Sequence, residues 1–167
     1  MCFSKFAFCI NGNIENLHSA KAEELIAFIA CERGSVSKAK AAESLWSAAN
    51  PNHAMDSLYK TLRHIRSLPF HVPIVHTRRT LQLDLFNVDL DIDEFLECCK
   101  SSDVTSWERA VEIYRGILLI DNAYEWSSMY EAFYDVRYYE LLNRLAEHYK
   151  AARNKNKARY YQSKLDE

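Results

Sequence analysis

Residues 52–67 constrain this chain most. Met55, Leu58, Leu62 and Ile65 recur three or four positions apart, the spacing of a single buried stripe on a helix. Asn50-Pro51 before them and Pro69 after them close the helix at both ends, because the residue preceding a proline is pushed out of the helical region. Turn the stripe inward at about 100° per residue, and His53, Asp56, Lys60, Arg63, His64 and Ser67 fall on the opposite face. Tyr59 and Arg66 stand toward one edge of it. Two short β-prone runs follow, Ile74-Val75-His76-Thr77 and Thr80-Leu81-Gln82-Leu83, around the charged pair Arg78-Arg79. They predict a hairpin, although its turn lacks glycine.

The residues upstream are aromatic and partly alternating from Phe3 to Ile10, then reach Asn11-Gly12. Both residues of that dipeptide tolerate the positive φ of a type I′ turn, so a hairpin with a return strand to about Leu17 is predicted. Ser19 can cap a helix with Ala22, Leu25, Ile26, Ile29 and Ala30 on one face, and Gly34 is expected to end it in the left-handed conformation. A second short helix opens at Ser35 or Ser37 and runs to Leu45-Trp46. Strands, three helices and a hairpin, in that order, describe a winged helix-turn-helix over residues 1–88.

The alternating aspartates of Val88-Asp89-Leu90-Asp91-Ile92-Asp93 resemble a metal loop only superficially, since the glycine and further oxygen ligands of an EF-hand are missing. Asp91 and Glu94 instead predict a capping box opening a helix at Ile92. Helices are expected at 92–100 and 104–115. A long one follows from Trp126 to Arg153, on which Met129, Tyr130, Phe133, Leu141, Leu142, Leu145 and Tyr149 recur at helical spacing. A polar Asn154-Lys155-Asn156 turn then leads to a last short helix ending at Leu165. The expected fold class is mostly α with small β elements. Residues 89–167 are expected to form an all-α, TPR-like part of stacked helix pairs.

Charge divides along the same line. Residues 1–88 hold 10 Lys and Arg against 7 Asp and Glu, and residues 89–167 hold 11 against 16, within a net charge of −2. A uniformly basic nucleic-acid coat is excluded, a local basic patch is not. No apolar run approaches the roughly 18 residues of a membrane span, and Met1-Cys2-Phe3-Ser4-Lys5-Phe6 has no basic leader before a long apolar stretch. The five cysteines include no CxxC, so reduced thiols of a cytoplasmic protein are expected. The six histidines and the cysteines show neither zinc-finger spacing nor HExxH, and no GxSxG, P-loop or dinucleotide fingerprint occurs. The expectation is therefore no enzyme, no cofactor and no metal site.

Three stretches carry a family resemblance: Ser19-Ala20-Lys21-Ala22-Glu23-Glu24-Leu25-Ile26-Ala27-Phe28, then Glu32-Arg33-Gly34-Ser35-Val36-Ser37, then Ala42-Glu43-Ser44-Leu45-Trp46. Together they resemble the winged-helix DNA-binding domain of OmpR/PhoB type, in the version joined to a bacterial transcriptional activator domain. Ser57-Leu58, Leu62 and Ile65-Arg66 resemble that family's recognition helix, and Asp89-Leu90-Asp91 with Glu94-Phe95 its junction into the activator domain. Trp107-Glu108-Arg109-Ala110-Val111, Tyr114-Arg115-Gly116, Leu118-Leu119, Tyr124-Glu125-Trp126 and Leu145-Ala146-Glu147-His148-Tyr149 resemble the helices of that domain. Two departures stand out. Arg78-Arg79-Thr80 occupies the place of the family's wing glycine, and residues 89–167 are shorter than the family's activator domain, so an incomplete one is expected. No phosphoacceptor receiver domain lies within the chain.

A helix seated in the major groove needs donors such as Lys60 and Arg63 for guanine edges or phosphates, and Arg78 and Arg79 suit phosphates or the minor groove beside it. On pattern alone a solvated face and turn is the plainer reading. The resemblance turns the expectation to a transcriptional regulator binding double-stranded DNA through His53, Asp56, Tyr59, Lys60, Arg63, His64, Arg66, Ser67, Arg78 and Arg79. It implies RNA polymerase, a signalling or receiver domain, or a second copy as protein partners. The alternative is a protein-interaction adaptor whose winged helix has lost DNA binding.

Overall fold

In the computed structural model, which describes residues 2–166, Asn11 and Gly12 take φ of 50° and 83°. They turn strand β1 (Phe8–Ile10) back on the antiparallel β2 (Asn13–Glu15), with Phe8 opposite Glu15 and Ile10 opposite Asn13. The hairpin is shorter than the aromatic run predicts, because residues 2–6 leave it for the second half of the chain. The Cys2 amide donates to the Asp91 carboxylate at 2.8 Å, the Leu119 amide to the Cys2 carbonyl at 3.0 Å, and Phe3 bridges Leu118.

Helix α1 (Ala20–Glu32) starts where Ser19 predicts, its hydroxyl accepting from the Ala22 amide at 3.2 Å. Its left-handed cap is Arg33, φ 51°, and not the expected Gly34. The Arg33 guanidinium meets Asp93 at 2.5 Å, a partner that glycine cannot supply. Strand β3 (Val36–Ser37) leads into α2 (Lys38–Leu45), capped by Ser37. In α3 (Pro51–Arg66), Asn50 is the cap and Pro51 takes the first helical position, where its missing N–H costs nothing. The buried arc of α3 is Ala54, Leu58, Thr61, Leu62 and Ile65, rotated from the predicted stripe, and Met55 is only half-buried. Strands β4 (Ile74–His76) and β5 (Thr80–Leu83) form the predicted hairpin, and β3 joins it in a three-stranded sheet of order β3-β5-β4.

The second half is helical throughout its regular structure. Helices α4 (Asp91–Lys100), α5 (Val104–Ile113), α6 (Ser128–Ala151) and α7 (Lys155–Leu165) pack in succession, with one 3-10 turn at Ile120–Asn122. The capping box predicted at Asp91 and Glu94 does not form. Asp91 spends its carboxylate on the Cys2 and Phe3 amides, and Glu94 pairs with Arg109 at 2.9 Å. Asn154 caps α7 by accepting from the Lys157 amide, so the expected polar turn is already that helix's first turn. On α6 the buried arc runs through Tyr134, Leu141, Leu142, Leu145, Ala146 and Tyr149. Met129 and Phe133, expected inside, lie turned away from that arc and are exposed. The buried side chains of both halves join in one apolar cluster. Phe28 of α1 meets Trp126 edge-on at 5.0 Å, and the Trp126 indole N–H donates to Glu24. Among the described residues, no helix is long and apolar enough to cross a membrane.

Cys2 and Cys31 are buried packing residues, and burial pushes the Cys2 thiol up to about 12. Glu108 ties α5 to α6 and α7: it accepts from Tyr149 at 2.9 Å, Lys157 at 2.7 Å and Tyr161 at 3.0 Å. Partial burial alone would raise its carboxyl, but these three donors outweigh it and hold the group below its ordinary 4.5. A carboxylate lowered on folding stabilises the native state above its unfolded pKa, and that contribution fades as pH falls through the folded value. Thermal melts of the wild type should therefore lose more stability on acidification below about pH 4.5 than melts of Glu108→Gln. Parallel curves for the two proteins would remove the clamp's role.

Candidate nucleic-acid interface

Helix α3 presents a polar face because its apolar residues are spent on α1 and α2. His53, Asp56, Tyr59, Lys60, Arg63 and Arg66 are all exposed along it. Asp56 is the one carboxylate in residues 51–83, against five Lys and Arg: Lys60, Arg63, Arg66, Arg78 and Arg79. Among the described residues no ion pair or hydrogen bond engages the side chains of Lys60, Arg63, Arg78 or Arg79. Lys21, Arg33, Lys40, Lys100, Arg109, Lys150 and Lys157, by contrast, each sit within 4.0 Å of a carboxylate.

Arg78 and Arg79 stand at the tip of the β4–β5 hairpin. The turn needs no glycine because Thr77 closes it with its side chain: the Thr77 hydroxyl accepts the Arg79 amide at 3.2 Å and the Thr80 amide at 3.0 Å. No residue from 77 to 80 takes a positive φ. A hydroxyl doing the work of a backbone turn is the ST-turn mechanism.

Two contacts lock this hairpin against the helices. The buried Lys38, first residue of α2, donates its ammonium to the Thr77 carbonyl at 2.8 Å and its amide to the Arg79 carbonyl at 2.8 Å. The same ammonium lies 5.3 Å from the centre of the Tyr59 ring. On the other side the Arg66 guanidinium reaches the His76 imidazole across from α3 to β4. Arg66 is thereby held beside the hairpin rather than free on the edge of the helix.

Two expected residues have their side chains engaged within the protein. The His64 ring is half-buried and bonds the Leu17 carbonyl at 2.7 Å, so it joins α3 to the end of the first hairpin. Ser67 closes the helix, its hydroxyl donating to the His64 carbonyl at 2.7 Å. The rotation of the buried arc toward Ala54 and Thr61 explains the first: it swings the neighbouring His64 inward. Lys38, His76 and Thr77 are parts of the site that sequence periodicity does not single out. Among the described residues no group of three or more His, Cys, Asp or Glu is placed to hold a metal ion.

No family model, curated protein or solved structure matches the chain.

Proposed function

We propose that the chain is a DNA-binding transcriptional regulator. Residues 1–88 are then a winged helix-turn-helix, with α3 in the major groove and the β4–β5 hairpin as the wing. Residues 89–167 are a TPR-like activator part that contacts protein, whether RNA polymerase, a signalling or receiver domain, or a second copy. The observation that carries the reading is the set of cations on α3 and at the hairpin tip that no carboxylate neutralises, joined by Lys38 and the Arg66–His76 contact into one surface. Cations held without counter-charges are poised for phosphate oxygens, and an exposed helix face beside them can reach base edges. The resemblance to regulators of OmpR/PhoB type points the same way.

The test is titration of labelled duplex DNA at several salt concentrations. Phosphate contacts release counterions, so log affinity should fall linearly with log salt. Arg78→Ala and Arg79→Ala should each weaken binding to every duplex alike and flatten that slope by about one unit per lost phosphate contact. A parent protein that binds no duplex, or binds with no salt slope, overturns the reading and leaves the protein-interaction adaptor in its place.

A further inference from the structure

We propose that the cavity beneath residues 87–90 is a binding site for a small amphipathic amine, an apolar body with one cationic end. The inference is independent of DNA binding. It starts from a partly open space of about 870 Å³ bounded by the β1–β2 hairpin, α1, the foot of the β4–β5 hairpin and the segment leading into α4. Sites for small organic ligands fall in the range of about 300–1,000 Å³ and combine apolar walls with a few polar groups.

The walls are of that kind. Phe8 and Phe70 stack with ring centres 5.9 Å apart and planes 22° from parallel. Phe6, Ile26, Leu83 and Leu90 extend the apolar lining. An aromatic or branched aliphatic body gains from such a surface by leaving water.

Charge chooses the other end of the ligand. Among the described residues that line it, Asp89 is the only Asp, Glu, Lys or Arg. No hydrogen bond or ion pair among the described residues engages it. Every acidic residue of α4 and α5 has found a cation, as Glu94 has with Arg109 and Glu108 with Lys157. His71 and Asn87 supply the remaining polar side chains of the lining together with Asn11. An anionic ligand would meet a like charge at the mouth of an apolar space, and a neutral one could gain a hydrogen bond from the carboxylate but no charge pairing. A cation gains from both the walls and the rim.

Three isosteric probes separate these cases: 1-naphthylmethylamine, 1-naphthalenemethanol and 1-naphthoate, titrated at neutral pH and followed by amide chemical shifts. The amine should bind roughly fivefold more tightly than the alcohol, and the carboxylate more weakly than either. The shifts should centre on residues 8–10, 70–73 and 87–90. Asp89→Asn should bring the amine to the alcohol's affinity and leave the alcohol unchanged. Ala30→Leu, which fills the cavity from α1, should weaken all three probes. If that variant fails to fold, Ala7→Leu makes the same test from the half-buried wall opposite. No binding by any probe, equal affinities for the three, an amine preference that survives Asp89→Asn, or shifts centred elsewhere would each overturn the proposal.

Discussion

Phe3→Ala should destabilise the protein by about 3–5 kcal/mol, the range for deleting a fully packed aromatic side chain. Its ring is buried, 5.2 Å from Phe95, 5.0 Å from Tyr114 and 5.6 Å from Tyr134, centre to centre. Its backbone is fixed as well, since its amide donates to Asp91 at 3.3 Å and the adjoining Ser4 amide to the Ile117 carbonyl at 3.2 Å. Removing the ring leaves a void whose walls are held by α4, α5 and α6 and cannot collapse cheaply. Phe3→Leu keeps most of the volume and should cost clearly less. Urea unfolding of the three proteins decides the matter. A loss under about 1 kcal/mol for Phe3→Ala would mean that the segment peels away in solution.

The second large effect concerns the face of α3. Lys60→Ala combined with Arg63→Ala should weaken specific DNA binding roughly 30-fold or more, since one good base-edge contact carries about 1–3 kcal/mol of discrimination and a phosphate contact adds to it. Both side chains are exposed and engage no partner among the described residues, so thermal stability should stay within about 0.5 kcal/mol of the parent. That pairing of a large binding loss with an unchanged fold separates a reading face from a merely solvated one. Asp56→Asn is the opposite control, because it removes repulsion from phosphate on the same face and should hold or strengthen non-specific affinity. If the double variant binds every duplex as the parent does, α3 is not the reader.

What local residues decide is legible in the sequence. Asn11-Gly12 turns the first hairpin, Ser19 caps the helix that follows it, and the three-and-four spacing around Leu58 and Leu62 places α3. What depends on a partner far along the chain is not legible. Asp91 has the sequence surroundings of a helix cap, yet its carboxylate serves amides 88 and 89 residues away. His64 sits on the polar side of a helical wheel, yet the rotation set by Ala54 and Thr61 sends its ring to the Leu17 carbonyl. Met129 and Phe133 have the composition of a core, but α6 is apolar on more than one side and its neighbours choose which side to cover. In the candidate site, the cations are visible in the sequence while the clamp that aligns them is not. Lys38 gives no periodic signal, and its role exists only once Thr77 and Tyr59 are brought to it.

The insertion of Phe3 among the helices of the other half also orders events in time. Contacts within α4–α5 and α6–α7 join neighbours in the chain and can form quickly, whereas the seat for Phe3 requires closing a loop that runs from residue 3 to residue 118. During synthesis the segment carrying Phe3 is made long before Tyr134, the last of the three rings that receive it. At about 5–20 residues per second, it waits on the order of ten seconds with an aromatic side chain exposed. The segment that carries Phe3 is thus made before the helices that bury it, and its burial waits for residues more than a hundred positions further along.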